Sequence, residues 1–165
     1  MKPDRPVVIV LCLALLLGAA SCATAPASGR KAEERELLRL HQTVLDAHLA
    51  SDIELLLRDE EDYYVIASDG AISRPTREQR RAGLGPYLQA TRFLVYRDLV
   101  PPVVEVSADG SLGWVIVQIE AQGEQRTASG AVERLEFVSA WIELYRKQNG
   151  RWLRVGNVSN FKPDE

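Results

Sequence analysis

From residue 93 onward nearly every segment between turn signals is a β-type run, and no other feature restricts the fold as much. Residues 93–96, 103–107, 113–121, 132–147 and 151–161 are β-rich, punctuated by Pro101-Pro102, Asp109-Gly110, Gly123, Gly130 and Asn149-Gly150. Two of these runs sort their side chains into faces, because successive strand residues point to opposite sides. In GWVIVQIEA, Val115, Val117, Ile119 and Ala121 make an all-aliphatic face that predicts core, opposite Trp114, Ile116, Gln118 and Glu120. In LEFVSAWIELY, Leu135, Phe137, Ser139, Trp141, Glu143 and Tyr145 oppose Glu136, Val138, Ala140, Ile142 and Leu144. A face that sets Trp beside Glu suits a pocket mouth or a dimer surface, since the ring brings apolar area and a polar handle together. A solvent-side Trp packed on arginine stems is the plainer reading.

The preceding stretch is mainly helical. ERELLRLHQTVLDAHLASD, residues 34–52, carries Leu37, Leu38, His41, Val44, Leu45, His48 and Leu49 at helical spacing. Ser51 or Asp52 offers an N-cap to a short helix, IELLLRDEE. YYVIAS then reads as a strand turned by Asp69-Gly70 into AIS, a hairpin or bent edge. Thr76 with Gln79 fits a capping box opening a helix to about Ala82, with GPYLQATRF as a turn or second short helix. Helices followed by strands joined through tight turns define an α+β plan.

At the N-terminus, Lys2 and Arg5 precede an eleven-residue apolar run, Val7–Leu17, and the small residues 18–21, the order of a secretory signal. The run is shorter than the roughly 20 residues that span a bilayer. AASC, residues 19–22, resembles the lipobox of bacterial lipoproteins, with Ala19 where that family prefers Leu. The resemblance implies cleavage before Cys22 and lipidation of that residue; a soluble secreted or periplasmic protein cut near Ala23 or Ala25 is the alternative. Cys12 falls in the signal, so no internal disulfide is expected. Durable anchoring takes more than one acyl chain, and Ala23 rather than Asp after the cysteine implies the outer membrane, facing the periplasm. The expected organisation is a signal peptide over 1–21, a lipidated Cys22 with a flexible Ala/Ser/Pro/Gly tether to residue 32, and a single domain over 33–163. Without residues 1–21 the chain keeps 18 basic and 22 acidic residues, a balance that argues against nucleic acid. The four arginines of RPTREQRR, residues 74–81, read as a solvated helix face.

The tail VSAWIELYRKQNGRWLRVGNVSNF, with the opening helix ending in HLASDIELLL and the SDG turn, looks like the NTF2-like superfamily, which includes ketosteroid isomerase and SnoaL-type cyclases. The resemblance spans residues 33–161. It implies a cone in which N-terminal helices pack on a strongly curved antiparallel sheet, with a pocket at the open end and, in many members, a homodimer through the outer sheet face. The superfold hosts isomerases, cyclases, dehydratases and plain binders, so function has to be argued from residues.

His41 and His48 lie about 10.5 Å apart along one helix, too far to share a metal whose bonds to nitrogen are about 2.0 Å, so no metal site is expected. His48 and Asp52 form an i, i+4 pair able to set a tautomer, although a capping carboxylate beside a buried histidine is the commoner outcome. Acid–base chemistry of the isomerase kind needs a carboxylate with Tyr-type donors in an apolar site. The candidates are His48, Asp52, Tyr64 and Glu120, with Asp62, Tyr63 and Glu136 as further parts. Tyr64, Tyr96, Trp114, Trp141 and Asn157 are the candidate ligand-binding residues. No nucleotide, phosphate-loop, CxxC, HExxH or Ser-His-Asp motif is present, so no cofactor is expected. The leading expectation is an envelope lipoprotein domain that binds a small apolar ligand or a protein partner in its pocket. The alternative is a SnoaL-like or isomerase-like enzyme, which requires a pocket carboxylate of raised pKa beside Tyr or His; a third reading is a domain whose pocket is filled by its own side chains.

Overall fold

The computed structural model describes residues 27–161. Cys22 and the signal segment therefore lie outside the described residues. Helix α1, Ala27–Leu49, buries Leu37, Leu40, His41, Val44, Leu45 and Ala47 against the sheet. It begins earlier than expected, so the C-terminal half of the proposed tether, from Ala27, is helical. The reason is long-range: Arg30 binds Glu105 and the Val106 carbonyl at 2.9 and 2.8 Å, and Glu33 accepts from Trp152 Nε1 at 2.6 Å and from Lys147 at 2.5 Å. Asp52 caps α2, Ile53–Leu57, by accepting from the Leu55 amide.

Strands β1, Glu60–Ser68, and β2, Ala71–Ser73, form the expected hairpin, with both turn residues at positive φ, Asp69 at 52° and Gly70 at 76°. The capping box of Thr76 and Gln79 opens α3, Arg77–Ala90. This helix runs through Pro86 instead of ending near Ala82. Leu88 is fully buried and Tyr87 meets Phe93 ring to ring at 6.1 Å, contacts that offset the helix bond Pro86 cannot make.

The remaining strands are β3, Thr91–Asp98; β4, Val103–Val106; β5, Leu112–Arg126; β6, Val132–Gln148; and β7, Arg151–Phe161. Their order is β2-β1-β7-β6-β5-β3, with β4 beside β3 on the same edge of β5. The sheet is not wholly antiparallel as expected, because β1 and β7 run parallel. Tight hairpins impose antiparallel pairing only on sequence neighbours, and most of the domain connects these two strands.

Register shifts occur between Phe93 and Val95, between Leu144 and Tyr145, and between Glu60 and Val65, the irregularities that bend a strand. Gly156 sits beside two of them, where a Cβ would stand 2.6 Å from the Val65 carbonyl oxygen. The curvature wraps the inner face around α1 and α3. Val115, Val117, Ile119 and Ala121 are buried there, as their alternation requires. On the outer face the register aligns Val103, Ile116, Ile142, Val158, Ala67 and Ile72 in one row across six strands.

Candidate binding cavity

Between the three helices and the inner faces of β1, β3, β6 and β7 lies a cavity of about 330 Å³, within the size range of small-molecule sites. Val44, Leu56, Ile66, Leu84, Phe137 and Trp141 supply apolar walls, and His48, Tyr64, Tyr96, Glu143, Arg154 and Asn157 bring polar groups to it. A second hollow of about 540 Å³ between α1 and the β6–β7 hairpin is larger, but charged residues such as Glu33, Glu36, Arg39, Asp59 and Lys147 line it. The first has the chemistry of a ligand site.

Two buried carboxylates, Glu143 in the cavity wall and Glu60 behind it, hold the wall's arginines. Glu143 is 1% exposed; its Oε1 accepts from His41 Nδ1 at 3.2 Å and Trp141 Nε1 at 3.1 Å, and its Oε2 accepts from the Tyr145 hydroxyl at 2.7 Å. Arg154 Nη1 lies 3.9 Å from Oε1. Burial pushes the Glu143 pKa up, but His41, Arg154 and Tyr145 outweigh it and bring it down to about 2. Glu60 takes a two-bond fork from Arg80 at 2.7 and 2.9 Å and a bond from Arg154 Nη2 at 2.6 Å. Arg154 Nη2 also donates to the Leu56 carbonyl, and the Arg80 guanidinium lies 3.9 Å above the Tyr64 ring. Fork pairing and ring stacking are what a planar guanidinium does best.

The two histidines are shifted in opposite directions. His41 sets Nδ1 against Glu143 and Nε2 against Asp98, at 3.1 Å. Burial opposes its charge, yet Glu143 and then Asp98 raise its pKa overall. His48 donates from Nδ1 to the Val44 carbonyl at 2.7 Å, stacks on Tyr96 at 4.1 Å with the rings 5° apart, and meets Phe93 edge-on. Burial foremost pulls it down to about 4, so it is a neutral imidazole. Burial likewise pushes Tyr64 up to about 12 and raises Tyr96, so both keep their hydroxyl protons.

These shifts fix the sign of a pH dependence. The raised pKa of His41 stabilises the fold below its ordinary 6.5, and that contribution is lost as pH rises through the folded value. The lowered pKa of Glu143 stabilises the fold above its ordinary 4.5, and that contribution is lost as pH falls toward about 2. The lowered pKa of His48 works the other way from His41, costing stability as pH falls from the ordinary 6.5 toward about 4. Thermal unfolding followed from pH about 3 to about 9 is therefore expected to give the highest Tm near or above pH about 6.5 and a fall below it. His41→Gln is expected to flatten the alkaline limb.

The cavity gathers His48, Tyr64, Tyr96, Trp141 and Asn157 of the sequence candidates. It does not gather Asp52, Glu120 or Trp114. Asp52 spends its carboxylate on the α2 cap, and the Val44 carbonyl takes the His48 proton in its place. Glu120 and Trp114 alternate out of phase with the buried β5 residues and fall on the outer face, Glu120 binding Arg97 at 2.5 Å and Trp114 pairing with Glu105. Asp62, Tyr63 and Glu136 are exposed. Glu60, Arg80, Glu143 and Arg154 were missed as site residues. Glu143 had a readable signal, since it shares a strand face with Ser139, Trp141 and Tyr145. Arg80 corrects the solvated reading of its arginine cluster, because its side chain is only 10% exposed.

The sequence matches no family model and no curated protein. The fold matches solved structures. An NTF2-like superfamily protein from Salmonella enterica is 14% identical with a TM-score of 0.66, covering 81% of this chain and 94% of its own. An NTF2-like protein of unknown function from Pseudomonas putida is 16% identical with a TM-score of 0.64, covering 81% and 89%. A Streptomyces avermitilis protein, provisionally described as a dehydratase of the NTF2-like family, is 9% identical with a TM-score of 0.65, covering 81% and 99%. The chain therefore has the NTF2-like α+β fold, its helices packed on a curved sheet. Likeness at this identity speaks for the fold alone.

Proposed function

We propose that the domain is a binding module that holds a small, largely apolar molecule in this cavity. The observation that carries the reading is an apolar hollow whose lining ions, Arg80, Glu143 and Arg154, are paired with one another or with Glu60 behind the wall. The alternative, acid–base catalysis, asks for a pocket carboxylate of raised pKa, and Glu143 is displaced the other way. Glu143 acts as an acceptor that orients Trp141, Tyr145 and His41, and both its oxygens are engaged by these donors.

Titration with the neutral fluorophore N-phenyl-1-naphthylamine tests this. Saturable binding of one molecule per chain is expected, and Leu84→Trp, which fills the wall supplied by α3, is expected to weaken it about tenfold or more while leaving Tm nearly unchanged. Equal binding by the parent and the filled variant contradicts the reading.

We further propose that Cys22 is lipidated and holds the domain at the outer membrane. Cys22→Ser is expected to move the protein from the membrane to the soluble fraction, and unchanged fractionation contradicts the anchor. The aligned outer row, with Val103, Ile116, Val158 and Ile72 exposed, supports a homodimer in which two copies apply the same row about a two-fold axis. Light scattering on the domain is expected to give twice the chain mass, and Ile116→Asp the monomer mass.

A further inference from the structure

The proposal that the cavity binds an apolar molecule can be narrowed to a chemical class, and the narrowing rests on that proposal. The first constraint is charge. Glu60 and Glu143 are cancelled by Arg80 and Arg154, and His41 is held between Glu143 and Asp98. An anionic head would compete with Glu60 and Glu143 for Arg154, and a cationic head would compete with Arg154 and His41 for Glu143. Either leaves a buried charge short of a partner, the costliest arrangement in a low-dielectric site.

The second constraint is the direction of one hydrogen bond. A carbonyl oxygen only accepts, so the 2.7 Å contact with Val44 puts the His48 proton on Nδ1. Nε2 is then a bare acceptor, and no hydrogen bond to it is found among the described residues; the sealed polar atom without a partner on this cavity is a donor, Arg154 Nε. Turning the ring over within its plane would keep the parallel stack on Tyr96 but give up the Val44 bond, so that bond holds Nε2 in place. Burial keeps this imidazole neutral, so the acceptor persists at physiological pH. His48 lines the cavity, which offers an occupant an acceptor waiting for a donor. Nε2 rewards a hydroxyl and gives nothing to an ether or to a carboxylate.

We infer that the cavity selects an uncharged apolar alcohol, whose hydroxyl donates to Nε2 of His48, over a fatty anion or a donor-free analogue of the same length. The hydroxyls of Tyr64 and Tyr96 also border the cavity, where a ligand oxygen can accept from them.

Calorimetric titration of the domain at neutral pH with 1-decanol, decanoate and decyl methyl ether tests the inference. The alcohol is expected to bind about tenfold tighter than either of the others, the factor one well-made hydrogen bond supplies. His48→Phe keeps a ring to stack on Tyr96 and removes the acceptor; it is expected to bind alcohol and ether equally. The comparison on the parent protein decides the matter even where the variant fails to fold. Equal or tighter binding of decanoate, or equal binding of ether and alcohol by the parent, overturns the inference while leaving the cavity reading intact. Binding of none of the three overturns both.

Discussion

Glu143→Ala is expected to lower the unfolding free energy by about 3–5 kcal/mol, the usual result of removing one partner from a buried ionic network. The carboxylate is the shared acceptor of His41, Trp141 and Tyr145 and the counter-charge of Arg154, and of these Trp141 and Arg154 line the cavity with it. Its removal leaves three donors without an acceptor, each costing about 1–3 kcal/mol when buried, and relaxation of Trp141, which is only partly buried, holds the total below their sum. Against a typical stability of about 5–15 kcal/mol, urea denaturation should show a large fall in midpoint with little change in slope. Glu143→Gln separates shape from charge. It keeps an oxygen for the donors but loses the attraction to Arg154 and His41, so an intermediate loss is expected, together with an acid limb that no longer depends on this residue.

Glu60→Ala is expected to cost about as much, roughly 3–5 kcal/mol, for a different reason. Glu60 is fully buried and is the only hinge between Arg80 of α3 and Arg154 of β7 among the described residues. Without it two guanidiniums that share Glu60 Oε1 and both lie near the Tyr64 ring are left with no carboxylate between them. Arg80 has a way out toward solvent, and Arg154, with a side chain 6% exposed, has none. The double variant Glu60→Leu with Arg154→Met should therefore lose less than the two single changes added together, with a coupling of about 1 kcal/mol or more. Full additivity contradicts the ion network described here. Because Arg80 closes one side of the cavity, Glu60→Ala should also weaken binding of N-phenyl-1-naphthylamine.

The chain's local chemistry exposed much of this architecture and little of its wiring. The capping box at Thr76, the Asp69-Gly70 hairpin and the aliphatic face of β5 are each decided within a few residues, and each is where the pattern puts it. The alternation in β6 also set Trp141 and Glu143 on one face. It could not say that Glu143 would be ionised and sealed, because the partners that favour its charge most, His41 and Arg154, come from α1 and β7. Arg154 finds Glu60 across 94 residues, and Arg80 finds it across 20. A strand pattern reports which face a side chain takes, and the bulged registers of this sheet decide whom it meets there. The same distinction explains Asp52 and His48, where the i, i+4 geometry was present but each group had a nearer partner in the backbone. It explains Arg80 too: on a helix surface a charge looks solvated until another element covers it.

On this proposal the inner cavity, and not the outer sheet face, receives the ligand. Methyl-resolved NMR during titration with 1-decanol separates the two most directly. The cavity reading predicts saturable shifts at Val44, Leu56, Ile66 and Leu84, which line the hollow. Shifts confined to Val103, Ile116 and Val158 on the outer row, or none at the cavity methyls up to the solubility of the alcohol, would contradict it.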